Sequence, residues 1–141
     1  MVRAINPDAV RAYVLECDRE LPEAEQTRFF LRTPTARIRP HLVGYATRMI
    51  AVLRSGDEKR GRELGAASND VLRWGLVGWE NLTDGETGEQ VECACEMALV
   101  LGQRVKAPTA ESIERLSNAW ITELLNELTN DLQLPGIEGN G

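Results

Sequence analysis

His41 is the one histidine of the chain, and so the one side chain whose ordinary pKa suits general-base work near neutral pH. It stands beside Pro40 with no Gly-x-Ser-x-Gly elbow anywhere to supply a nucleophile. Three cysteines could offer thiolates: Cys17, Cys93 and Cys95. Cys93-Ala94-Cys95 is a C-x-C, whereas zinc knuckles and redox pairs use C-x-x-C. The odd count and the short spacing suit reduced thiols rather than a disulfide framework. Asp84, Glu86 and Glu89 carry the carboxylates of a calcium loop without the alternating ligands and closing Glu of an EF-hand. No Gly-rich loop ends in Gly-Lys-Ser/Thr to cradle phosphate. The expectation is therefore a protein with no catalytic residues, no cofactor and no metal.

Charge offers a second kind of chemistry. Arg28, Arg32, Arg37, Arg39, Arg48 and Arg54 could neutralise phosphates. On a helix, however, positions 37, 48 and 54 scatter around the cylinder, and the whole chain carries −6. No nucleic-acid partner is expected. The charge is uneven: residues 28–62 hold nine basic side chains against two acidic ones, and residues 63–141 hold four against fourteen. Such asymmetry either neutralises itself within one fold or marks two surfaces of opposite sign.

The elements that must position these groups are read from pattern. With 141 residues, 43% hydrophobic and 27% charged, the chain suits one domain with a real core. That domain is placed at residues 1–134, with 135–141 as a flexible tail. Unbroken apolar runs such as Met49 to Leu53 reach five residues, against about 20 for a membrane helix. The opening MVRAINPDAV has no apolar signal core. No membrane partner and a cytoplasmic location are expected.

Ala12 to Cys17 and Thr27 to Arg32 are aromatic, β-branched and apolar, which predicts an antiparallel strand pair joined by a longer loop, with Tyr13, Leu15 and Cys17 on one face and likewise Phe29 and Leu31. Thr33-Pro34 suits a helix entry, with Pro40 either a kink or the true start. Ile38, Leu42, Tyr45 and Met49 form its apolar stripe, and Ser55-Gly56 its end. Asp57 caps a second helix, with Leu64, Ala67, Val71 and Trp74 inside and a stop near Gly78. Asn81 to Glu89 is a turn-rich loop. Val91 to Leu101 is read as a short strand at its start, although EMALVLGQ also suits a helix. Thr109 caps a long final helix running to Leu134, with Ile113, Leu116, Trp120, Leu124 and Leu128 as its core stripe. The fold class expected is α+β and mostly helical: about three main helices and a small N-terminal antiparallel strand pair.

Three blocks in order carry a family resemblance. DRELPEAEQTRFFLRTPTAR resembles a D-R-x-L-P, E-Q-T-x-F-x-L-R and T-A-R pattern. RWGLVGWENLTDGETGEQ is similar to a helix ending in G-L-V-G-W-E-N before a D-x-x-G turn. LGQRVKAPTAESIERL looks like a G-x-R-V-K-x-P-T entry to a last helix. Together, from about Asp18 to Leu128, they resemble the tail assembly chaperones of long-tailed bacteriophages and prophages. The chain departs from that pattern at Val91-Glu92-Cys93, where the family often has an aromatic residue after the turn. The resemblance implies a non-enzymatic protein that binds the tape-measure protein, helps recruit tail-tube protein, works in the host cytoplasm and is missing from the mature virion. A virion component, such as a tail-completion or connector subunit, is the alternative, followed by a small nucleic-acid-binding regulator.

The apolar stripe of the final helix is wider than one small core needs, because Ile121, Leu125 and Leu132 flank it. These three, with Trp74 and Trp79, are the expected protein-binding residues, serving either a partner helix or a homo-oligomer.

Overall fold

The computed structural model describes residues 9–130, apart from the side chain of Arg60. Strands β1 (Val10–Tyr13) and β2 (Arg28–Arg32) pair antiparallel, with Tyr13 opposite Phe29 and Val10 opposite Arg32. Two single 3-10 turns fill the loop between them. Phe29 and Leu31 point to one side of β2 and are fully buried, as period-2 alternation requires. Helix α1 (Arg39–Ser55) begins at the proline: Pro40 lies in its first turn, where a missing N–H costs nothing. Gly56 ends it in the left-handed conformation, φ 68°, and its N–H reaches the Val52 carbonyl. Helix α2 (Glu58–Gly75) follows, with the Asp57 carboxylate accepting from the Lys59 N–H at 2.9 Å.

The expected fold class, mostly helical with strands confined to the N-terminus, is overturned. Helix α2 stops at Gly75, and Leu76–Glu80 is strand β3, laid antiparallel along the other edge of β2. A second sheet, the hairpin of β4 (Cys95–Val100) and β5 (Gln103–Pro108), follows the turn-rich loop. Among the described residues 46% are helical and 23% are strand, too much sheet for a mostly helical protein. The reason is a tertiary pairing. Gly75 and Gly78 bracket an apolar pair, Leu76-Val77, that continues the helical spacing of α2 but is drawn flat by the open edge of β2. Leu101 and Gly102 both take positive φ, 50° and 75°, so they form the tight primed turn that returns β5 along β4.

The final helix also divides. Thr109 caps only one short helix, α3 (Ala110–Ile113), accepting from the Ser112 N–H at 3.2 Å. Ser117 then caps a new helix, α4 (Asn118–Thr129), accepting from the Trp120 N–H at 3.3 Å. The break lets Ile113 and Leu116 enter the core from one direction and Leu124, Leu125 and Leu128 from another. Leu132 and the tail expected over 135–141 lie outside the described residues.

Helix α4 closes on the sheet and on α2. Arg11 on β1 forms an ion pair with Glu127 at 2.6 Å, and the Tyr13 hydroxyl donates to Glu123 at 2.7 Å. Glu123 also accepts from the Glu16 N–H at 3.0 Å. Leu128 packs so closely on Gly75 that a Cβ there would stand 2.5 Å from both of its methyl carbons. Leu128 is 2% exposed and has nowhere to retreat. Gly75→Ala should therefore cost about 1–3 kcal/mol by overpacking, read as a lower urea midpoint with an unchanged slope.

Burial, and then the hydrogen bond to and charge of Glu123, push the Tyr13 hydroxyl up from 10.0 to about 12. An unfolded chain releases that proton near pH 10 while the folded one holds it. The folded state is thus favoured below pH 10 by this group and loses that advantage between about pH 10 and 12. Unfolding curves across that window should steepen downward for the wild type, and Tyr13→Phe should flatten the loss.

Candidate protein-binding surface

Four of the five residues singled out from sequence lie among the described residues, and all four serve the interior. Trp74 is 2% exposed, and its indole N–H donates to the Gln103 side chain at 3.3 Å. Trp79 meets Phe29 edge-on at 6.1 Å and donates to the Val91 carbonyl at 2.7 Å. Leu125 is 6% exposed within the core, and Ile121 packs against that core partly buried. The width of the apolar stripe has a structural reason: α4 packs against both α1 and α2, while Glu123 and Glu127 reach β1 with polar contacts.

The motif residues converge as well. Asn81 sits at φ 60°, and its amide donates to the carbonyls of Ala24 and Gln26, both at 3.1 Å. The Thr27 hydroxyl returns a bond to the Asn81 carbonyl at 2.8 Å, and Asp18 accepts from the Thr27 N–H at 3.0 Å. Arg28 pairs with Glu80 at 2.9 Å across the β2–β3 ladder. Asp84 closes the glycine turn by accepting from the N–H groups of Glu86 and Thr87, and it pairs with Arg115 of the third block. Those backbone bonds first, and then Arg115, hold the Asp84 carboxyl below its usual range. The motifs therefore lock loops to one another.

His41 is exposed in an open groove of about 340 Å³ between α1 and α2, beside Arg48, Glu63 and Asp70. The Cys93 and Cys95 sulfurs lie 3.9 Å apart, and burial, reinforced by Cys95, pushes the Cys93 thiol up to about 12. It stays protonated, and so poorly nucleophilic, near neutral pH. Among the described residues no group of three or more His, Cys, Asp or Glu is placed to hold a metal. No helix among them is long and apolar enough to cross a membrane.

The surface that does stand out is the outer face of the β4–β5 hairpin. Met97 and Leu99 are 59% and 77% exposed. Period-2 alternation puts them on one face, and the register sets Met97 opposite Lys106 and Leu99 opposite Arg104. The inward alternates, Ala98, Val100, Val105 and Ala107, join the core. Beside this face runs an open groove of about 540 Å³, lined by Arg32, Arg37, Met97, Arg104 and Lys106 among others. Arg32 itself is held by donating to the carbonyls of Trp74 at 2.9 Å and Lys106 at 3.1 Å. The result is an apolar strip bordered by cations. Sequence reasoning missed it because EMALVLGQ also suits a helix, and the Leu101-Gly102 turn lacks the usual Asn-Gly or Asp-Gly signal.

Ser112 anchors the hairpin from behind. Its buried hydroxyl accepts from the Ala94 N–H at 2.9 Å and donates to the Ala94 carbonyl at 3.2 Å. Arg73 holds the same end by donating to the Pro108 carbonyl at 3.1 Å and pairing with Glu96 at 2.9 Å. Comparison with known proteins found no match to this chain among family models, curated proteins or solved structures.

A charge at Leu125 has no solvent to face, so Leu125→Glu should destabilise by about 3–5 kcal/mol and unfold a domain of ordinary stability. Leu99→Glu should leave the thermal melt within about 0.5 kcal/mol of wild type. Paired circular-dichroism melts check both.

Proposed function

We propose that this chain is a non-enzymatic tail assembly chaperone of a long-tailed phage, which holds apolar helices of the tape-measure protein and assists tail-tube assembly. It would act in the host cytoplasm and leave no copy in the finished particle. The observation that carries this reading is the apolar strip of Met97 and Leu99, bordered by Arg104, Lys106 and Arg37, on a rigidly anchored hairpin. Such a strip suits one face of an amphipathic helix with acidic flanks, burying its apolar residues while the cations select orientation. The resemblance of the ordered motif blocks supports the same reading, and their residues pair across the chain: Asp18 with Thr27, Thr27 with Asn81, Arg28 with Glu80 and Asp84 with Arg115.

Co-expression with segments of the tape-measure protein of the same phage tests the proposal. One helical segment should become soluble and co-purify, and Met97→Glu with Leu99→Glu should weaken capture by about tenfold or more. Mass spectrometry of purified particles should find no copy of the chain. A stoichiometric copy there would move the reading to a structural component of the virion. A steeply salt-dependent shift of duplex DNA would move it to a nucleic-acid binder.

A further inference from the structure

Strand β4 has one partner. β5 occupies one of its edges, and no strand among the described residues pairs with the other. The hairpin geometry identifies which backbone groups that free edge presents. The two-residue turn at Leu101-Gly102 makes Val100 and Gln103 a hydrogen-bonded pair, so alternate pairs back along the ladder are bonded too. The Thr109 N–H to Ala94 carbonyl bond, at 2.9 Å, keeps the same phase. Pro108, which has no N–H, falls opposite Cys95 at a position that needs none. The N–H and C=O groups of Met97 and Leu99 therefore point away from β5, toward the open edge. The same two residues carry the largest exposed apolar side chains of the hairpin. An unpaired edge is usually protected by a charged side chain, a proline or a bulge. Between Glu96 and the turn, this one has none.

We infer that the free edge of β4 pairs antiparallel with β4 of a second copy of this chain, forming a four-stranded sheet in the order β5-β4-β4-β5. The strand is complementary to itself. With the two-fold axis at Ala98, Met97 faces Leu99 of the other copy, and Leu99 faces its Met97. Both are hydrogen-bonded pairs that use the outward groups just identified. Ala98 meets its own copy at a non-hydrogen-bonded pair, where Cα atoms approach to about 4.5 Å and a small side chain fits. Glu96 falls opposite Val100, so no like charges are set against each other across the new ladder. The Arg104 and Lys106 side chains sit on the outer strands, about 14 Å from the opposite β5 at three strand spacings. This contact does not depend on what the outer face binds. It would double the apolar strip into one continuous surface on the same face of the sheet.

The edge contact alone is smaller than a standard interface, so a dissociation constant of roughly micromolar order is expected. Sedimentation of the full chain across that concentration range should show a monomer–dimer equilibrium. Leu99→Lys places a cation in the new cross-strand pair and should weaken the dimer by at least about tenfold. Leu99→Pro removes one outward N–H while leaving the β4–β5 bonds intact, and should do the same. Unchanged circular dichroism confirms that each variant folds, and the lysine variant stands if the proline variant does not. Amide exchange should show Met97 and Leu99 protected in the wild type and exposed in the variants. A wild type that stays monomeric overturns the inference. So does a dimer that survives Leu99→Lys, or protection of these amides only when a tape-measure segment is added. None of these results changes the particle test of the chaperone reading.

Discussion

The fold depends on β3 lying against β2. Alone, β1 and β2 would make a marginal ribbon whose inner face, Phe29 and Leu31, could not be covered. Adding Leu76–Glu80 along the far edge makes β2 a central strand and brings Leu76 and Trp79 over the same core. Because β3 follows α2 without a loop, that pairing also fixes the end of the helix. Gly75 at the junction gives Leu128 its seat, so the last described helix is registered against the same point. The Asn81 clasp then holds the strand's exit to the loop before β2, with three hydrogen bonds across more than fifty residues of sequence.

From this anchor the molecule divides its work. The buried aromatic residues and the polar motif residues hold loops and strands in place, and their chemistry is spent inside the chain. Trp74 and Trp79 each satisfy their indole N–H internally. The β4–β5 hairpin differs: its inner face joins the core, Ser112 and Arg73 secure its base, and its outer face and one edge stay open. A rigid base with an open apolar face suits recognition, since little ordering is left to be done on binding.

Charge follows the same division. The arginines of residues 28–39 do not form a stripe. Arg28 is consumed by Glu23 and Glu80, and Arg32 by two backbone carbonyls. Across the hairpin, Arg104 and Lys106 come from the otherwise acidic second half and stand with Arg37 from the basic first half. Summing charge along the chain therefore places neither the cations nor their partners. The local field is set by which strands are neighbours.

The sequence by itself determined the features with a local cause. The aromatic and apolar run in RFFLR marked a strand whose period of two turns Phe29 and Leu31 inward, and Pro40, Gly56, Asp57 and Thr109 marked helix ends through their own backbone chemistry. The stripes of α1 and α2 were legible because helical periodicity repeats within one element. Only the tertiary structure decided what required a distant partner. Leu76–Glu80 continues the apolar spacing of a helix and became a strand because β2 offered an unpaired edge. In the stretch from Val91 to Leu101 the strand expected at the start lies instead at Cys95–Val100, in residues that also suit a helix, because β5, itself unsignalled, pairs there. The width of the α4 stripe suggested a partner surface, and in the fold Leu124, Leu125 and Leu128 of that stripe are buried in the core, with α1 and α2 as neighbours. Conversely, Met97 and Leu99 are apolar and stand exposed, because apolar character says what a side chain prefers and only the count of neighbouring layers says whether it is covered.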